Sequence, residues 1–213
     1  MNIRFILIAL VSLIITPLSA YSRDKCIKEP SAISSDEEYF KYLEEGEASR
    51  IYVSQEKSGQ MKTREFVSLD LVSKYMVPIL AYQIKKSGKH YDAIVAIPRG
   101  GLCLAQMLSY PLHIHNILFA SAQSYFEGDI QGEVQIGQLP NLENYNRVLL
   151  VDDLLDSGNT IKVLLQTLGA LYPKVAIDTC VGHIKLSRDP MPTYYCFEGK
   201  DWIIYEWYGS HVE

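Results

Sequence analysis

The run Val148-Leu149-Leu150-Val151-Asp152-Asp153-Leu154-Leu155-Asp156-Ser157-Gly158-Asn159-Thr160 restricts the fold of this chain more than any other segment. Its apolar start reads as a strand buried on both faces, and such strands belong to parallel sheets covered by helices on either side. Two carboxylates stand at the strand's carboxyl end, a third follows, and a small polar turn then opens a helix. Paired acids in that place suit ribose hydroxyls or a divalent metal. A Ser-Gly-x-Thr turn at a helix N-terminus suits a phosphate, because the first backbone N–H groups and the helix dipole both point at it. Helix capping by Ser157 or Asn159 accounts for one polar residue. It does not account for three acids in so short a space beside an apolar strand.

The same alternation runs through the rest of the chain. Residues 93–97 read as a continuous apolar strand, 102–109 as a short helix, and 114–120 as a second strand. A long polar loop is expected over 125–146. A strand over 147–151, a helix over 160–172 and a strand over 175–181 follow. Shorter strands are expected at 194–197 and 203–205, forming a small C-terminal hood. Upstream, 50–53 reads as a short strand, 54–61 as a loop, and 36–45 as a short helix. Ser68 is placed to cap an amphipathic helix over 69–87, with Pro78 kinking or breaking it. Apolar strands alternating with helices predict one α/β domain with a doubly wound, mainly parallel sheet.

In such sheets ligands sit at the carboxyl ends of the strands, near the point where strand order reverses. Pro98-Arg99-Gly100-Gly101 directly follows the first core strand. Two glycines let backbone amides approach an anion closely, and an arginine supplies a fork for phosphate oxygens. His183-Ile184-Lys185 follows the fourth strand, and Asp201-Trp202-Ile203-Ile204-Tyr205 lies further on. His113 and His115 read as ordinary strand-edge histidines.

Taken together, these segments resemble the type I phosphoribosyltransferase family, closest to its xanthine-guanine and hypoxanthine (6-oxopurine) branch. The 152–160 run is similar to the family's phosphoribosyl-pyrophosphate (PRPP) motif, and the 98–101 run to its pyrophosphate-binding loop. The 183–185 and 201–205 segments are similar to its purine end. The resemblance spans residues 66–208.

The resemblance implies transfer of a phosphoribosyl group from PRPP to guanine, xanthine or hypoxanthine. The products are a nucleoside monophosphate and pyrophosphate, with Mg²⁺ as cofactor. Asp152 and Asp153 are then expected to hold the ribose hydroxyls, directly or through the metal. Arg99, Gly100 and Gly101 hold the pyrophosphate, and Ser157, Gly158, Asn159 and Thr160 cradle the 5′-phosphate. Asp156 is the expected catalytic residue, handling the proton at the purine N7. Lys185 meets the six-position oxygen, Trp202 stacks on the base, and Ile203 adjoins them. The resemblance also implies a cis peptide bond between Pro98 and Arg99. Residues 126–146 contain no Lys or Arg, although the family's closing loop often carries a basic residue. That departure favours a competing reading, a non-catalytic PRPP or nucleotide sensor, while Asp156 and Lys185 oppose it.

The N-terminus reads as an export signal, with Arg4, an apolar stretch over 5–15, and Leu18-Ser19-Ala20 as a cleavage site. The organisation expected is a signal peptide or anchor at 1–20, an extension at 21–65 and a phosphoribosyltransferase domain at 66–213. Cleavage predicts a periplasmic or secreted protein. Membrane attachment is expected only if the segment stays in place. An exported interaction protein that keeps the fold is a third reading. The formal net charge is −5, which argues against nucleic acid as a partner. The partners expected are small-molecule substrates, and a homo-oligomer is compatible with the chain. Cys26, Cys103, Cys180 and Cys196 have no metal-type spacing, and Cys103 and Cys180 sit in apolar runs as expected core residues.

Overall fold

The computed structural model describes residues 51–211, apart from 58–59, 128–129, 186–188 and 200–201. The expected signal, the helix at 36–45 and Asp201 lie outside the described residues. The chain is organised around a five-stranded sheet. Its strands are β3 (Ala93–Ala96), β4 (Ile117–Phe119), β7 (Arg147–Leu155), β8 (Ala176–Lys185) and β9 (Tyr194–Gly199), in the order β4-β3-β7-β8-β9. Every neighbouring pair is parallel.

Alternate side chains of these strands point to opposite faces. Ala93, Val95, Ile97, Val148 and Leu150 pack against Ile161, Leu164 and Leu168. Those three share one face of the helix Asn159–Leu171, called α3, at the spacing a helix requires. The opposite face of the sheet is covered by α2 (Gly101–Leu112), which packs on β3 and β7, and by α1 (residues 69–86), which packs on α2 and β9. Ile94 and Leu149 on that side are fully buried, as are Leu104, Leu108 and Leu80 on the helices. The doubly wound parallel architecture is therefore the one observed.

Helix α1 is continuous through an α turn (Leu69–Leu71), a π turn (Val72–Met76) and an α segment (Val77–Lys86). The Ser68 hydroxyl accepts from the Leu71 N–H at 3.1 Å, as a cap should. Pro78 sits directly after the π turn, so the break falls where its missing N–H and ring exclude a regular turn.

Three local expectations are corrected. The loop expected over 54–61 is instead part of a hairpin, β1 (Ile51–Lys57) with β2 (Gln60–Val67). The polar loop expected over 125–146 begins as a second hairpin, β5 (Ala122–Glu127) with β6 (Ile130–Ile136). Polar residues in both are carried by antiparallel pairing of the backbone, which needs no apolar alternation in the sequence. The strand expected over 114–120 is shorter, because α2 runs to Leu112 and ends at His113 in the left-handed conformation (φ 54°). His113 therefore closes a helix and does not share a strand face with His115.

The hood is also rearranged. β9 belongs to the main sheet, and only β10 (Trp202–Tyr205) leaves it, pairing in parallel with β2 to give a sheet of order β1-β2-β10. Short 3₁₀ turns follow over Glu206–His211. Among the described residues, Cys103, Cys180 and Cys196 take part in no disulfide bond, and Cys180 is fully buried.

Candidate active site

Strand order fixes where a ligand can sit. After β3 the chain moves outward to β4, whereas β7, on the other side of β3, leads outward to β8 and β9. The crevice between the carboxyl ends of β3 and β7 is therefore the switch point. Both motifs singled out in the sequence, Pro98–Gly101 and Asp152–Thr160, open into it.

The two loops are in intimate contact. Ile97 N–H donates to the Val151 carbonyl at 2.9 Å, and Gly101 N–H to the Ile97 carbonyl at 2.9 Å. A β-carbon at Gly100 would run into the Asp153 carboxylate, and one at Gly101 into the Val151 carbonyl. Only glycine fits at either position with this backbone approach. The Pro98–Arg99 peptide bond is cis, as expected, and Arg99 is exposed at the mouth of the crevice.

The acid pair is largely enclosed. Asp152 Oδ1 accepts the Asp153 N–H at 3.0 Å. Asp153, 4% exposed, accepts two hydrogen bonds on Oδ2, from Trp207 Nε1 at 3.1 Å and the Tyr208 hydroxyl at 2.8 Å. Burial raises the Asp153 carboxyl above the usual carboxylate range and outweighs the lowering effect of those two donors. Burial, and then the neighbouring Asp153 charge, raises Asp152 further. Burial beside Asp153 pushes the Tyr208 hydroxyl upward as well, so it remains a donor.

Beyond the pair the chain turns through Asp156 and Ser157 to Gly158, which caps α3 at φ 83°. A β-carbon there would also meet the Asp189 carbonyl at 2.7 Å. Ser157 Oγ accepts the Asn159 N–H at 3.4 Å. Asn159 and Thr160 form the first turn of a helix long enough to present its N-terminal dipole to an anion.

On the other side of Asp156 lies Lys185. Its ammonium is 2.8 Å from Asp156 Oδ1 and 5.3 Å from the centroid of the Trp202 ring. Trp202 is 55% exposed, so it offers a free aromatic face. Ile203 differs: its side chain is buried on the opposite side of β10 from Trp202. Only its backbone is available to a ligand beside that tryptophan.

A carboxylate pair, a phosphate-type helix start and a cation–aromatic pocket thus meet at one switch point. The family model for the phosphoribosyl transferase domain matches residues 76–213. The chain belongs to the phosphoribosyltransferase family. Over 127 residues it is 32% identical to a xanthine-guanine phosphoribosyltransferase of Ruegeria sp. (strain TM1040), covering 55% of this chain and 69% of that one. A purine phosphoribosyltransferase from Pyrococcus horikoshii superposes with a TM-score of 0.57 at 26% identity, over 68% of this chain and 93% of that one. A hypothetical protein from Neisseria gonorrhoeae with bound ppGpp gives a TM-score of 0.60 at 27% identity, over 72% of this chain and 93% of its own.

The structure brings Arg99, Gly100, Gly101, Asp152, Asp153, Asp156, Ser157, Gly158, Asn159, Thr160, Lys185 and Trp202 of this phosphoribosyltransferase to one crevice or its rim. Sequence reasoning missed Trp207 and Tyr208, whose polar atoms hold the Asp153 carboxylate. Two large aromatics with polar tips, a few residues beyond the expected stacking tryptophan, were the available signal.

Proposed function

We propose that this phosphoribosyltransferase transfers the phosphoribosyl group of PRPP to a 6-oxopurine base. The observation that carries the reading is the Asp156–Lys185–Trp202 grouping beside the phosphate turn. It offers a flat aromatic face, a carboxylate and a cation that can only donate, on the side of the acid pair where a base attached to ribose would lie. An ammonium donor suits a carbonyl oxygen and not an exocyclic amine. The xanthine-guanine relative from Ruegeria and the guanine nucleotide bound by the Neisseria protein support the same class of base.

In this reading the bond between ribose C1 and the pyrophosphate oxygen breaks as a purine nitrogen bonds to C1. The transition state is oxocarbenium-like. Arg99 and the amide of Gly100 bind the departing pyrophosphate; the Gly101 amide, expected to join them, is instead committed to the Ile97 carbonyl, and Gly101 serves by its lack of a β-carbon against Val151. The N-terminus of α3 and Ser157 hold the 5′-phosphate, and Asp156 takes the purine proton. Trp202 and Lys185 fix the base so that its nitrogen faces C1.

The donor set at the acid pair fits Mg²⁺. Asp152 and Asp153 are adjacent, Asp152 Oδ1 accepting the Asp153 N–H at 3.0 Å, and both offer hard oxygens. Among the described residues no group of three or more acidic, His or Cys side chains forms a closed cage, and Mg²⁺ characteristically takes one or two carboxylates plus substrate oxygens. Asp152 and Asp153 would hold the ion, which when bound neutralises charge on the departing pyrophosphate.

The test is a purine panel with PRPP and Mg²⁺, read by pyrophosphate release. Guanine, xanthine or hypoxanthine should turn over and adenine should not. The absence of Lys and Arg from 126–146 favours one alternative, a non-catalytic sensor. PRPP binding with no turnover of any base would establish it. We also infer export through the N-terminal segment, and sequencing the N-terminus of the mature protein decides it: Tyr21 as first residue is the expected result.

A further inference from the structure

Behind the acid pair runs a line of buried polar groups that the reaction above does not use. His183 on β8 is fully buried, and Glu65 on β2 is 2% exposed. His183 Nε2 faces Glu65 Oε1 at 3.6 Å. Its Nδ1 lies 2.6 Å from the Tyr205 hydroxyl, and that hydroxyl donates to the main-chain carbonyl of Asp153 at 2.9 Å. The proton directions follow from the donor inventory. A carbonyl only accepts, so the single Tyr205 proton goes to Asp153, and the hydroxyl's lone pairs are left for an N–H from His183. Nδ1 therefore carries a proton, and Nε2 is turned toward the Glu65 carboxyl.

Gly182 opens the path for this line. Asp152 pairs with Val181 and Leu154 with His183 along β7 and β8, which sets Gly182 beside Asp153. A β-carbon at Gly182 would lie 2.6 Å from the Tyr205 hydroxyl and 2.8 Å from the Asp153 carbonyl. The rings are packed as well: His183 meets Tyr205 edge-on at 5.5 Å and Phe197 at 5.1 Å, and Tyr205 stacks on Trp207 at 4.3 Å. Asp153 is thus gripped twice by one stretch of chain, at its carbonyl by Tyr205 and at its carboxylate by Trp207 and Tyr208. The two hydrogen bonds from His183 through Tyr205 to the Asp153 carbonyl fix the arrangement of the groups they join, and Glu65 stands at ion-pair distance behind the imidazole.

We propose that Glu65, His183 and Tyr205 are positioning residues that set the height of Asp153 in the crevice. The β1–β2 hairpin, which lies upstream of the 76–213 family match, is then part of the working site through Glu65. The proposal rests on Asp152 and Asp153 as the ribose-binding pair. An error of an ångström in such a group is enough to cost a large part of its effect.

The experiment uses the full chain with Mg²⁺ and measures KM for PRPP, KM for the purine and PRPP affinity by calorimetry. Tyr205→Phe should raise the PRPP KM and Kd by about ten-fold and leave the purine KM within about two-fold. A role confined to packing would lower the melting temperature and the active fraction but leave both KM values unchanged. Should Tyr205→Phe fail to fold, Glu65→Gln, which keeps the side-chain shape, decides on the same criterion with an expected rise of about three-fold in the PRPP Kd. Unchanged PRPP affinity in the folded variant overturns the positioning role. A wild-type chain that binds no PRPP overturns the assignment of the acid pair itself, and the positioning role with it.

Discussion

The ammonium of Lys185 lies 2.8 Å from a carboxylate oxygen of Asp156 and, at the same time, 5.3 Å from the centre of the Trp202 ring. The carboxylate comes from the end of β7, the ammonium from the end of β8 and the ring from β10. One ion pair therefore ties together the residue expected to take a proton and the residue expected to choose the base. In the proposed reaction, the carbonyl of an entering purine draws the Lys185 ammonium toward itself and leaves Asp156 to the purine nitrogen.

Asp156→Asn should separate binding from turnover. The amide keeps the shape and loses the proton acceptor, so kcat should fall by about 100-fold. PRPP affinity should stay near wild type, because the phosphate turn and the acid pair are intact. Steady-state rates alongside calorimetric PRPP titration make the comparison. An unchanged kcat would remove Asp156 from the chemistry.

Lys185→Ala should act on base choice. The purine oxygen loses a charged donor, an interaction worth about 1.5–3 kcal/mol when made. The guanine KM should rise by roughly ten-fold or more, while the PRPP KM should hold steady. Discrimination against adenine should weaken in the same variant. Competition assays with the four purines read both effects, and adenine turning over as fast as guanine in the wild type would overturn this role.

Two glycines should respond in opposite directions. Gly101→Ala drives a methyl group into the Val151 carbonyl, which is main chain of the central strand and has little freedom to yield. PRPP binding should be lost, with stability down by about 1–3 kcal/mol for an overpacked site. Gly169, inside α3, has open space at the β-carbon position. Gly169→Ala should stabilise by about 0.4–1 kcal/mol with activity unchanged, because alanine restricts the unfolded chain. Thermal melts and the transfer assay check both.

Asp178 governs acid stability at the far end of the sheet. Its carboxylate meets Lys89 Nζ at 2.9 Å, the Tyr91 hydroxyl at 2.9 Å and Arg147 at 2.6 Å. Burial alone would raise its pKa, but these donors together outweigh burial and hold it below the ordinary value. A lowered folded-state pKa gives stability that is present above the unfolded value, about 4. That stability is lost as pH falls through the lower folded value. Asp178→Asn should therefore destabilise the protein by about 1–2 kcal/mol near pH 7. It should also flatten the fall in denaturant midpoint below about pH 4. A wild-type profile as flat as the variant's would argue against this assignment.

The sequence by itself determined four strands of the main sheet and the loops at its switch point, whereas β9 read as part of the hood. Each is written locally: apolar runs at 93–97 and 148–151 admit only doubly covered strands, and the Arg-Gly-Gly and Asp-Asp…Asp-Ser-Gly runs bring their own turns. Lys185 and Trp202 were legible by their residue types, but their meeting at Asp156 was not, since three separate strand ends had to converge. Residues 50–53 were legible as a strand, but the rest of the β1–β2 hairpin over 54–61 and the β5–β6 ribbon from 125 onward read as loops, because their pairing comes from backbone hydrogen bonds and not from an apolar period. The buried Glu65–His183–Tyr205 line and the Trp207–Tyr208 grip on Asp153 were decided only by tertiary structure. A glutamate at 65 and a histidine at 183 carry no mark of each other in sequence. They meet because β10 leaves the main sheet to pair with β2, and the missing side chain at Gly182 lets the Tyr205 hydroxyl through to the Asp153 carbonyl.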